Sequence, residues 1–200
     1  RLIACAEKQP KAVRKRSIGL VFAFVALLAA VSVAAAAALK RADGIVVRDE
    51  RSASLLEEIG IARDKVVITA DPVIRMKKPD GDVGAEILRK AGVSLDGRLT
   101  VGWAIRERDT DSRFVKELLR SIQMMKDKYD AQSVLIPFHY EEDGEVCRHI
   151  AAQLPDDTAV CLNEKYLSED MLSIIGNMDL LVGVRLQSLI YAAIMGLPLI

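Results

Sequence analysis

The sequence predicts an α/β protein whose second half forms a parallel, doubly wound sheet, and three observations carry this reading. From residue 99 onward, short apolar runs alternate with amphipathic stretches of helical length, the pattern of a parallel sheet with right-handed crossovers. Within Asp179–Ala193 an apolar run ends at Gly183 and a helical pattern begins at once, closing at Gly196-Leu197-Pro198. That is a buried strand, a tight glycine turn and a helix. A shorter strand, helix and strand series over 44–69 stands ahead of them.

Taken in order, residues 2–6 form a short apolar run and 8–16 a basic cluster. Residues 17–39 carry no charge, a length sufficient to cross a hydrocarbon core. Read as a span, the excess of Lys8, Lys11, Arg14, Lys15 and Arg16 over Lys40 and Arg41 places the N-terminus in the cytoplasm and everything after residue 40 outside. Read otherwise, the alanine-rich stretch is a buried or peripheral helix of an ordinary domain, or a locally aberrant sequence. These readings stay open here.

Residues 44–50 read as a strand and a charged turn, 52–59 as an amphipathic helix with Ser52 as N-cap and Gly60 as its end, and 65–69 as a strand leading into Ala70-Asp71-Pro72. The Lys, Pro, Asp and Gly content of 75–82 marks an exposed loop, and 83–91 is a helical pattern closed by Gly92. After an Asp96-Gly97 turn, strands are expected at 99–105, 133–138, 158–162 and 180–182, and helices at 112–129, 142–154, 168–177 and 186–195. The chain starts at Arg1 and stops at Ile200 inside what reads as a further strand, so it is expected to be part of something longer.

Composition narrows the function. The formal net charge is zero and aromatic residues are scarce, which argues against nucleic-acid binding. Three cysteines (Cys5, Cys147, Cys161) lack metal-site spacing and fit reduced thiols better than a disulfide framework. His139 and His149 are too few for a histidine-rich metal site, so no metal is expected.

Ligands of open α/β sheets sit outside the carboxyl ends of the strands, beside helix N-termini that favour anions. Three expected strand ends place polar groups there: Arg106, His139 and Arg185, with Gln187 in the first turn of the following helix. Guanidinium groups at such a point suit phosphate or carboxylate. Plainer roles are also open: an Arg106 ion pair with Glu107 or Asp109, a packed or merely exposed His139, a local Arg48–Asp49 pair, and Asp71 shaping a turn. Tyr140, Glu141, Glu142 and Asp143 read as a solvated loop and helix start rather than as metal ligands.

Gly183-Val184-Arg185-Leu186-Gln187-Ser188-Leu189-Ile190-Tyr191-Ala192 resembles the Gly-Met-Arg-Leu-His-(Ala/Ser)-Leu-Ile-Phe-Ala signature of the polysaccharide pyruvyl transferases of the cell-wall-associated (CsaB) type. Further landmarks fall in order at Val47–Glu50, Thr69–Pro72, Val101–Arg106 and Leu135–His139. One departure matters: Gln187 replaces the family's histidine.

The resemblance implies a GT-B-like fold of two Rossmann-type domains, incomplete at both ends, with the active site in the cleft between them. Residues 1–79 would be the tail of the first domain, 80–94 a linker and helix, and 95–200 most of the second. In the related enzymes an ordinary helix occupies the region of the apolar run. The implied reaction moves an enolpyruvyl-derived unit from phosphoenolpyruvate to a sugar of a cell-wall glycan precursor, leaving a pyruvate ketal and phosphate. Phosphoenolpyruvate is the donor substrate and no cofactor is implied.

Arg48 matches a family arginine thought to be catalytic, and His139 is the natural acid to protonate C3 of the donor. Arg106, Arg185 and Gln187 would bind the carboxylate and phosphate. The expected location is the cytoplasm, with association at a membrane surface left open, and the expected partners are phosphoenolpyruvate and a lipid-linked glycan precursor. Two other functions remain open: a nucleotide-sugar glycosyltransferase on the same fold, and a non-catalytic relative, which Gln187 motivates.

Overall fold

The computed structural model describes residues 32–79 and 81–200. The basic cluster and residues 17–31 of the apolar run lie outside the described residues. The chain divides into two compact units, one reaching to Asp71 and one starting at Pro72.

In the first unit, α1 (32–40) is the described end of the apolar run, and it is largely exposed, with Val33 70% accessible. No described helix is long and apolar enough to cross a membrane. Strand β1 (Ile45–Val47) pairs in parallel with β2 (Val66–Ile68), and α2 (Glu50–Glu58) crosses between them. Ala53, Ile61 and Val66 form a small core with Leu39, Ile45, Val47 and Leu56 packed against it.

The cap of α2 is Asp49 rather than Ser52: its Oδ1 accepts from the Ser52 N–H at 2.7 Å. The backbone turns right after β1, so Asp49 is the residue still extended (φ −153°, ψ 160°) with its side chain facing the free N–H groups. That bond, more than the nearby arginines, holds its carboxyl below the usual range.

The second unit holds a four-stranded parallel sheet of β3 (Thr100–Ala104), β4 (Gln132–Leu135), β5 (Ala159–Cys161) and β6 (Leu180–Gly183), in the order β5-β4-β3-β6. Leu199 bridges Leu181 in parallel on the far side of β6, as the sequence predicts for a further strand. The helices are α3 (Val83–Lys90), α4 (Arg113–Tyr129), α5 (Tyr140–Ala152), α6 (Ser168–Ile175) and α7 (Leu186–Met195).

Side chains alternate across the strands, so each face has its own core. Val101, Trp103, Ile105 and Leu135 pack with Val115, Leu118 and Ile122 of α4 and Val146 and Ile150 of α5. Ala104, Val134, Ile136 and Leu181 pack with Leu88 of α3, Leu172 and Ile175 of α6 and Tyr191 of α7. With helices on both faces, the sheet is doubly wound, as the β-α alternation requires.

Two local contacts fix this packing. The Gly84 N–H donates to Ser173 Oγ at 2.9 Å, and a Cβ on Gly84 would stand 2.3 Å from the Ser173 carbonyl, so α3 lies directly against α6. Trp103 reaches Ser133 Oγ through its indole N–H at 2.9 Å, which satisfies the one polar group of a buried ring. Cys147 and Cys161 are free thiols in the α4–α5 core.

Candidate active site

The strand order reverses between β3 and β6. From β3 the chain moves through α4 to β4 on one side; from β6 it passes through α7 to Leu199 on the other. Crevices that hold ligands in doubly wound sheets lie at this switch, outside the carboxyl ends of the strands.

Each of the two strands that flank it is followed, two residues past its end, by an arginine. Ala104 pairs with Gly183, so Arg106 and Arg185 follow at matching positions, and Val184 N–H donates to Ala104 O at 3.0 Å.

The two arginines differ in what they have left to offer. Arg106 is exposed and has no charged or hydrogen-bonding partner among the described residues; the expected pairs with Glu107 or Asp109 are not made. Glu107 instead accepts the backbone N–H groups of Arg108 and Asp109, which hold its carboxyl below the usual range. Arg185 is the N-cap of α7, and its side chain is only 20% accessible. Its Nε donates to Asp143 Oδ2 at 2.9 Å and its Nη2 to Asp143 Oδ1 at 2.6 Å.

Asp143 corrects the sequence reading. It is not part of a solvated helix start but 1% accessible, in the first turn of α5, where it also accepts the His139 N–H at 2.9 Å. The pair therefore ties the N-terminus of α7, on one face of the sheet, to that of α5, on the other. Glu142 stands 3.9 Å from Arg185 Nη2 and 2.7 Å from Arg108, whose hydrogen bond is the main reason its carboxyl is held below the usual range.

His139 caps α5 with its backbone, and its side chain is exposed, with Nδ1 4.0 Å from Glu141 Oε2. Glu141 itself is bound by Lys165, which depresses its carboxyl. Gln187 is exposed in the first turn of α7. Arg106, His139, Arg185 and Gln187 thus share one edge of the second unit's sheet. Arg48 belongs to the first unit and pairs with Asp71 at 2.6 Å, not with Asp49.

The arrangement is an open rim. Cavities of about 450 Å³ (beside Lys77, Lys78 and Glu169) and about 390 Å³ (beside Cys161, Asn163 and Tyr166) are not lined by these residues. No cluster of three His, Cys, Asp or Glu side chains is placed to hold a metal among the described residues. Arg106, the outer edge of Arg185 and the first N–H groups of α7 are donors of the kind that suits an anion.

The fold is shared with GT-B-like sugar enzymes. The UDP-GlcNAc 2-epimerase of Methanocaldococcus jannaschii superposes with a TM-score of 0.56 at 13% identity, over 79% of this chain and 45% of that one. The ADP-heptose lipopolysaccharide heptosyltransferase II of E. coli gives 0.51 at 15% identity, over 84% and 65%. The chain therefore spans less than two thirds of either protein. No curated protein matches the sequence. The family model for polysaccharide pyruvyl transferase matches residues 30–200, and the chain belongs to that family.

Proposed function

We propose that this chain forms part of an enzyme that transfers a pyruvyl group from phosphoenolpyruvate to a sugar of a cell-wall glycan precursor, forming a pyruvate ketal. The observation that carries the reading is Arg106, exposed and without a partner among the described residues, level with Arg185 at the switch point of the sheet. Phosphoenolpyruvate carries a carboxylate and a phosphate on adjacent atoms, and two guanidinium groups at neighbouring strand ends match that charge distribution.

The chemistry needs an acid and an anion site. A proton added to C3 leaves C2 electron-poor, and a sugar hydroxyl adds there with loss of its own proton. Phosphate then departs with the C–O bonding pair, and a second hydroxyl of the same sugar adds to the oxocarbenium carbon left behind, giving its proton to the phosphate and closing the ketal. His139, exposed at the rim, is the imidazole placed there to serve as the acid. Arg106 and Arg185 balance the charge that collects on the departing phosphate. Gln187 donates a hydrogen bond but carries no proton, so proton transfer rests on another residue.

The test is acceptor-dependent release of phosphate from phosphoenolpyruvate by the full-length protein, with a lipid-linked amino-sugar as acceptor. Release that falls about 10²–10³-fold in Arg106→Gln, with an unchanged melting temperature, supports the assignment. No release from the parent but release from Gln187→His would mark a relative that has lost its activity. Silence from both, without binding of phosphoenolpyruvate, sinks the reading.

A further inference from the structure

We infer that Asp143 is a positioning residue of this site: it clamps Arg185 so that only the outer edge of its guanidinium faces an incoming phosphate or carboxylate. The inference rests on the pyruvyl-transfer reading for its substrate, though not for its geometry. A guanidinium is a planar fork of five N–H donors. Asp143 engages the Nε side of that fork through both carboxylate oxygens. Nη1 has no partner among the described residues, so the donors left over lie at the end of the fork.

Three features distinguish a clamp from an ordinary surface pair. Asp143 is almost fully buried, so it cannot follow a moving arginine. One of its oxygens also holds the His139 N–H, so the carboxylate is fixed from two sides. The pair joins the start of α5 to the start of α7, so His139 and Arg185, which the proposed reaction uses together, are set by one carboxylate. A neutral Arg185–Asp143 pair also leaves Arg106 as a cation at the switch whose charge is unbalanced among the described residues.

A role in charge balance alone makes the opposite prediction. Removing a carboxylate beside an anion site strengthens anion binding if charge is all that matters; removing a clamp weakens it. The experiment measures binding of inorganic phosphate and of phosphoenolpyruvate by calorimetry, with phosphate release, in the full-length parent, Asp143→Asn and Asp143→Glu. Asp143→Glu keeps the charge and moves it by one methylene, and it replaces Asp143→Asn should that variant not fold.

Phosphate affinity is expected to fall about tenfold in either variant, and turnover about 10²-fold, as for a reacting group displaced by about 1 Å. In an Arg185→Gln background, Asp143→Asn should add no further loss of turnover, because it acts through that arginine. Phosphate affinity that is unchanged or higher in both variants, losses that add in the double variant, or no phosphate binding by the parent each overturn the inference. A parent that binds phosphate without releasing any from phosphoenolpyruvate defeats the pyruvyl-transfer reading, and the affinities still decide the role of Asp143.

Discussion

Gly183 and Ser188 approach so closely that position 183, at the end of β6, has no room for a side chain. A Cβ on Gly183 would stand 2.5 Å from Ser188 Oγ and 3.0 Å from Leu189 Cδ2. Ser188 cannot swing aside, because it is buried and its hydroxyl donates to Arg185 O at 2.7 Å. The glycine is therefore set by the packing of the helix on the strand end, which is also what places Arg185.

Gly183→Ala is expected to push the first turn of α7 away from β6. Overpacking of this kind costs about 1–3 kcal/mol, and the displaced Arg185 lowers turnover further. Urea unfolding and phosphate release measure the two effects. A variant as stable and as active as the parent would show that the joint has slack after all.

Arg185→Ala leaves Asp143 buried without its counter-charge. Breaking one side of a buried pair costs about 3–5 kcal/mol, whereas replacing both partners by apolar residues is often close to neutral. Since Arg185 is 20% accessible, the lower end applies. Arg185→Ala should therefore lose about 3 kcal/mol in urea unfolding, and Arg185→Met with Asp143→Leu should recover most of it without recovering activity. Equal losses in the single and double variants would contradict the pairing.

Much of this was legible in the sequence. Hydrophobic runs located every strand of the second sheet, because a strand buried on both faces is written as a continuous apolar segment. Element ends moved by one to three residues, as at β4, read as 133–138 and found at Gln132–Leu135; the residues after it remain buried and look like strand in sequence. The rim positions of Arg106, His139 and Arg185 followed from strand ends alone.

Their partners did not follow. Asp143 is 42 residues from Arg185, and Asp71 is 23 from Arg48. An acidic run at a helix start reads the same whether it faces water or a buried arginine. The choice is made by which helix faces converge over the sheet, and a single chain of letters does not state it.

Thr158 offers a stability test away from the site. Its side chain is 1% accessible, and its Oγ1 has no hydrogen-bond partner among the described residues. A buried, unpaired hydroxyl costs about 1–3 kcal/mol, and valine fills the same space without it. Thr158→Val should raise the urea midpoint by the equivalent of about 1 kcal/mol. A drop in the midpoint would mean that the hydroxyl has a partner.

Glu142 gives a pH dependence whose sign is fixed. Its folded-state carboxyl is held below the ordinary 4.5, first by the Arg108 hydrogen bond and then by neighbouring charges. A depressed carboxyl contributes stability that is complete above the unfolded value and is lost as the pH falls through the lower folded one. Arg108→Ala should therefore be slightly less stable than the parent at neutral pH, in keeping with an exposed pair. The gap should persist down to about pH 4.5 and close below it, as both chains come to carry a neutral Glu142. Urea midpoints from pH 7 down to pH 3 would show it. A gap that survives full protonation would assign the effect to packing of the Arg108 side chain rather than to its charge.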